Sequence, residues 1–139
     1  MIEIRMFGAL DISASALVAQ RTRLNVISAN LANRNSLTDA AGNYAPFRRR
    51  VPILAPGDPS SGSGGGVYVK DVLLDQSPLQ IKHEPNHPFA DDKGFVYYPN
   101  VDPMMEMINA MEARRVYEAN ITAAEATKSM MQASLRLLA

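Results

Sequence analysis

A chain of 139 residues with 47 % apolar and 20 % charged side chains suits one folded domain or two small ones and argues against wholesale disorder. The lack of cysteine excludes disulfides, thiolate metal sites and cysteine nucleophiles, and no apolar run reaches membrane-spanning length. Formal net charge is zero but unevenly spread. Seven arginines face three acids in residues 1–50, three lysines face nine acids in 51–112, and four cations face two acids in 113–139. That asymmetry fits either attraction between neighbouring subunits or a solvated mixed surface. Arg48-Arg49-Arg50 is the one hint of a basic face, too little to expect a nucleic-acid partner.

Residues 1–19 imitate a secretory signal only faintly. Arg5 and Ala14-Ser15-Ala16 are in place, but Asp11 and nearby serines interrupt the apolar region, so no cleavage is expected. Residues 6–33 read as a first helix: Leu10, Leu17, Leu24 and Leu31 recur every seven residues, and Met6 and Ile27 widen the stripe. Asn30, Asn33 and Asn35 crowd its end, where asparagine tolerates left-handed backbone and bonds local carbonyls.

All nine prolines fall between Pro46 and Pro103, so the middle is extended and turn-rich. Short strands are predicted near residues 47–54, 67–74, 79–83 and 95–98. Pro56 to Gly66 reads as a flexible Ser/Gly loop without the lysine of a phosphate loop. From Pro103 to Ala139 there is neither glycine nor a further proline. Asp102 and Pro103 read as an N-cap and first helical residue, with Glu106 in the first turn. Tyr117, Ile121, Ala124, Met131, Leu135 and Leu138 step along one face by threes and fours or their sums, with Lys128 as a charged interruption. Helices this long need equally long partners, and each end of the chain offers one to the other.

No enzyme emerges from the motifs. His83-Glu84-Pro85-Asn86-His87 has the H-E-x-x-H spacing of zinc proteases, but Pro85 and Pro88 break the helix that would put both imidazoles on one face. Asp71 with Asp75, and Asp91-Asp92, read as surface acids rather than an acid–base pair. No G-x-S-x-G elbow occurs, and Asn120-Ile121-Thr122 falls mid-helix rather than in a glycosylated loop. No catalytic residue, metal or cofactor is expected. Met104, Met105, Met107, Met111, Met130 and Met131 fit either an adaptable interface or ordinary core filling.

Several stretches carry a resemblance. Ser28-Ala29-Asn30-Leu31-Ala32-Asn33 followed by Asn35-Ser36 resembles the N-terminal signature of bacterial flagellar axial proteins of the rod and hook. Phe47-Arg48-Arg49, Asp75-Gln76-Ser77-Pro78 and Glu84-Pro85-Asn86-His87-Pro88 continue it. Tyr98-Pro99-Asn100-Val101-Asp102, Arg115-Val116-Tyr117-Glu118-Ala119-Asn120 and Lys128-Ser129-Met130-Met131 follow in the same order, which is similar to a proximal rod subunit over nearly the whole chain. Asn86 stands where that family usually has glycine, His83 where an aromatic is common, and Ser36 where threonine is usual.

The resemblance implies a non-enzymatic structural subunit. It would pass through the flagellar type III export apparatus without a cleaved signal and assemble with copies of itself and other rod subunits in the periplasm. There it would form a tube that transmits torque from motor ring to hook and conducts exported subunits. The expected fold is α+β: terminal helices (1–36 and 102–139) packed as a coiled coil, with a β-rich middle (37–101) between them. Leu10, Leu17, Leu24, Ile27 and Leu31 are expected to pack against Tyr117, Ile121, Ala124, Met131, Leu135 and Leu138 within and between subunits. Met111 would lie in the same interface, and Asn30, Asn33 and Asn120 would fix register. The other class considered is a soluble helical adaptor holding one partner helix in a small closed complex.

About six large apolar residues on helix one bury too little surface to offset the ordering of its backbone. The terminal helices are therefore expected to fray in a dilute monomer and to order on assembly. Circular dichroism and amide exchange should show weak protection there, and full protection would contradict it.

Overall fold

The computed structural model describes the backbone of residues 2–58 and 63–138 and the side chains of residues 8–57 and 64–137. Six elements follow in chain order: α1 (Ile2–Ala32), β1 (Arg50–Asp58), β2 (Ser63–Leu74), β3 (Gln80–His83), β4 (Phe95–Tyr98) and α2 (Pro103–Leu138). This is the expected α+β architecture, two long terminal helices around a small β-rich middle.

α1 has 31 residues and α2 has 36, about 46 and 54 Å at ~1.5 Å per residue. They pack antiparallel: Asn30 near the end of α1 meets Glu106 near the start of α2, and Arg23 meets Glu112 a few residues on. α1 begins four residues earlier than predicted, because Ile2 to Arg5 contain no helix breaker. Its end differs from expectation in mechanism. No non-glycine residue among those described has a positive φ, so the asparagines do not turn left-handed. Instead the Asn33 amide donates to the Ala29 carbonyl at 2.9 Å, and Ser36 Oγ donates to Asn33 Oδ1 at 3.1 Å. α2 starts as predicted: Asp102 Oδ1 accepts from Met104 N at 2.9 Å, satisfying a donor the helix cannot.

β1 and β2 form an antiparallel hairpin, and β3 and β4 a second, separate one. Of the stretch from Pro56 to Gly66, expected as loop, residues 56–58 and 63–66 continue the first hairpin, Pro56 pairing with Val67 and Asp58 with Ser63, while 59–62 lie outside the described residues. The pairing survives because Gly57 and Gly66, at φ +98° and +94°, absorb the irregular register. Gly66 is also where the hairpin meets α1. A Cβ there would sit 2.7 Å from Ser15 Oγ, and the neighbouring Val67 N donates to that same oxygen at 3.1 Å. The hairpin therefore lies along α1, with Ser15 at one end and Asn30 at the other.

The interior is thin. Ala19, Ile27, Leu37, Val96, Val101 and Ala113 are its buried apolar residues, beside buried Ser13, Gln20, Asn30 and Glu106. Most of the large apolar side chains lie outside it. Gly66→Ala would combine a left-handed backbone with a steric clash, and is expected to cost about 1–3 kcal/mol. A lowered urea midpoint, with faster amide exchange in β2 than in α2, would register the change.

Candidate functional site

Where the two helices meet the base of the first hairpin and the segment after β4, one buried acid is held by several elements. Glu106, one turn into α2, is fully buried. Its Oε1 accepts from Arg49 Nε at 2.6 Å and its Oε2 from the Asn30 amide at 3.1 Å. Asn30, itself 1 % exposed, also pairs with the backbone of Arg50, donating to the carbonyl and accepting from the N–H, both at 2.9 Å. Arg49 reaches further, to Asp75 Oδ2 at 3.3 Å, while its N–H donates to Asn100 Oδ1 at 2.8 Å. Asn100 in turn donates to the carbonyls of Asp75 and Ser77 at 3.1 and 3.2 Å. The network ties α1, the base of the first hairpin, the segment after β4 and α2 to one point.

Electrostatics favour it. Burial works against the Arg49 cation, yet the hydrogen bond and charge of Glu106, then those of Asp75, outweigh burial and hold its pKa above the ordinary value. Hydrogen bonds from Ser77, backbone first, and then the Arg49 guanidinium hold Asp75 below the usual carboxylate range. Asp75 thus works inside the molecule, contrary to its reading as a surface acid. Arg48 likewise donates to the carbonyls of Asp75 and Ser77, and Arg50 lies over the Phe47 ring. The basic triplet is architecture.

The expected interface residues divide into three groups. Ile27 and Asn30 are buried; Leu10, Leu17, Leu24, Leu31, Asn33, Tyr117, Asn120, Ala124 and Met131 are half-buried. Met111, Ile121 and Leu135 are exposed, and the Leu138 side chain, like that of Met6, lies outside the described residues. The line of α1 that is buried is Ser13, Gln20 and Ile27, also spaced by seven but three residues on from the leucines. Gln20 Oε1 has no hydrogen-bond partner there. On α2 the inward line is Glu106, Ala110, Ala113, Val116, Tyr117, Asn120, Ala124, Thr127 and Met131, mostly small or polar. The predicted face of α2 is therefore split, with Ile121 and Leu135 turned away from α1's side. Of the three asparagines assigned to register only Asn30 bonds another element; Asn33 and Asn120 donate to carbonyls of their own helix.

The large apolar side chains of α2 gather outside. Met104, Met105, Met107, Ile108 and Met111 are all 46–66 % exposed within its first nine residues, and Met130, Leu135 and Leu137 are exposed near its end. The zinc-like motif is a turn, as expected. Glu84 accepts from Tyr98 Oη at 3.0 Å, which raises the phenol's pKa, and His87 Nδ1 accepts from Phe89 N. No group of three or more potential metal ligands occurs among the described residues.

What the described residues present is an apolar surface along α2. Comparison with known proteins says whose. Residues 10–38 match the family described as flagella basal body rod protein, and residues 92–137 match the C-terminal family of the flagellar basal body rod FlgEFG proteins. The class is thus a structural subunit of the bacterial flagellar rod, not an enzyme. Over 132 residues the chain is 42 % identical to the flagellar basal-body rod protein FlgC of Escherichia coli O6:H1, covering 95 % of this chain and 97 % of the relative. FlgC of Bacillus subtilis is 37 % identical over 145 residues (94 % and 97 % covered), and that of Borreliella burgdorferi 36 % over 150 (96 % and 97 %). The chain belongs to the FlgC family of flagellar basal-body rod proteins.

Sequence reasoning placed Glu106 as a first-turn acid complementing the helix dipole and missed its burial. The signal was its setting, one carboxylate among apolar neighbours downstream of three arginines. Glu106→Ala would remove the acceptor of Arg49 Nε and one of the two acceptors of the Asn30 amide, and should cost about 3–5 kcal/mol, as breaking a buried pair does. Chemical denaturation against Glu118→Ala, whose partner Arg114 is at the surface, would test it: the exposed pair should matter by less than about 1 kcal/mol.

Proposed function

We propose that this subunit polymerises through its terminal helices into the helical tube of the rod. In that reading residues 1–36 and 102–139 act as the assembling unit and the middle, 37–101, as an outer one. Leu10, Leu17, Leu24, Leu31 and Tyr117 serve both the helix pair and its neighbours. Met111, Ile121 and Leu135 serve neighbours alone, and Leu138 is assigned to the same interface from the sequence. The tube stands in the periplasm, transmits torque from ring to hook and conducts exported subunits. Its subunits arrive through the type III export apparatus without a cleaved signal. Partners are copies of this chain and other rod subunits.

The observation that supports this best is the placement of bulk on α2. The side facing α1 carries mostly small and polar residues, while methionine, isoleucine and leucine point outward. A monomer gains nothing from that arrangement, since each exposed large apolar side chain forgoes roughly 1.5–3 kcal/mol of burial. A subunit enclosed by neighbours recovers it.

Leu135→Asp tests the reading without disturbing the helix pair, because that side chain is more than half exposed. The purified variant should keep its helical content and thermal midpoint, while cells carrying it in place of the parent should lack rods and fail to swim. Normal motility would count against the proposal.

A further inference from the structure

The β3–β4 hairpin has two unlike faces. Val96 points inward and is fully buried, whereas Ile81, Phe95 and Tyr97 are 36–59 % exposed on the outer face, with His83 beside them. Cross-strand pairing sets Ile81 against Tyr97 and His83 against Phe95, so the four side chains make one continuous apolar and aromatic strip. Its four side chains span two residue steps along each strand, about 7 Å at ~3.4 Å per residue. At the Phe95 end stand Asp91 and Asp92, with Lys93 as the one cation on that rim, enclosing with the strip a shallow recess of about 530 Å³. Asp91 Oδ1 is held by the N–H groups of Lys93 and Phe95, which fixes the acidic corner in place. The edge of β4 is closed to another strand: the Tyr44 hydroxyl donates to the Tyr97 carbonyl at 3.0 Å and accepts from its N–H at 2.9 Å. Only the face is open.

The same chain carries a longer apolar surface that ends in the opposite charge. Met104, Ile108, Met111 and Arg115 fall at i, i+4, i+7 and i+11, a single line on the exposed side of α2. The line is about 16 Å long at ~1.5 Å per residue. It is apolar for three positions and ends in a cation. Arg115 is exposed and has no ion-pair partner among the described residues, while the nearby acids Glu112 and Glu118 are taken by Arg23 and Arg114. Thioethers also pack well on aromatic rings.

We infer that the outer face of β3–β4 seats the first three turns of α2 from a second copy of this chain, with Met104, Ile108 and Met111 on Ile81, Phe95 and Tyr97 and Arg115 at Asp91 and Asp92. This rests on the assembly reading above. The two surfaces are different parts of the chain, so the contact is head-to-tail, the kind that propagates instead of closing on a pair.

The absence of native cysteine gives a direct test in flagellated cells lacking their own copy. Tyr97→Cys and Met111→Cys are expressed together or singly and treated with a short bifunctional maleimide, with Phe95→Cys and Ile108→Cys as a second pair. Covalent dimers should form only when both members of a pair are present. Asp91→Lys with Asp92→Lys should lower their yield at least tenfold, and adding Arg115→Glu should restore most of it. Three results overturn the inference while leaving the rod reading intact: rods containing the chain but no mixed dimer, dimers from Tyr97→Cys alone, or joining of the Tyr97→Cys chain only to a different rod subunit. If the unsubstituted chain enters no rod at all, the assembly reading itself has failed.

Discussion

The carboxylate of Glu106 is the point from which the rest of the molecule is positioned. A charge taken wholly out of water is tolerated only when its oxygens are met by donors, and here Arg49 and Asn30 meet both. Each of those donors belongs to a different part of the chain and is itself held elsewhere, Asn30 by the Arg50 backbone and Arg49 by Asp75 and Asn100. Geometry at one buried atom pair thereby sets how far α2 can slide along α1, and where the base of the first hairpin sits against both. A thin interior with six buried apolar residues could not define those offsets by packing alone.

The rest of the helix pair is built for closeness more than adhesion. Alanine, serine and asparagine along the inward lines let the backbones approach, and the bulky residues that would ordinarily fill a core lie on the flanks and outside. Such a design fits the assembly proposed above, in which neighbours would cover the apolar surface of this rod-family subunit.

Much of this was legible in the sequence, for identifiable reasons. The proline-free ends and the proline-rich middle divide the chain as the elements do, and the Asp102-Pro103 start of α2 behaves as its residue types dictate. The leucine repeat marks a half-buried line, and the fully buried one runs three residues on, through Ser13, Gln20 and Ile27. A strict seven-residue spacing drifts about 20° per repeat around a straight helix, so two lines of sevens run side by side and periodicity alone does not say which faces inward. Glycine-rich sequence read as loop because composition speaks of freedom, whereas Gly66 is required by contact with Ser15. Glu106 was hidden because its partner Arg49 lies 57 residues away, beyond any local pattern. The outward turn of Ile121 and Leu135 was hidden for a related reason: which side of a doubly apolar helix meets its own partner depends on the partner's shape.

Gln20, buried near the middle of α1, has a side-chain oxygen that no donor among the described residues reaches. A buried oxygen left without a donor costs about 1–3 kcal/mol, so the middle of α1 is held less firmly than its end at Asn30, whose amide nitrogen and oxygen are both bonded.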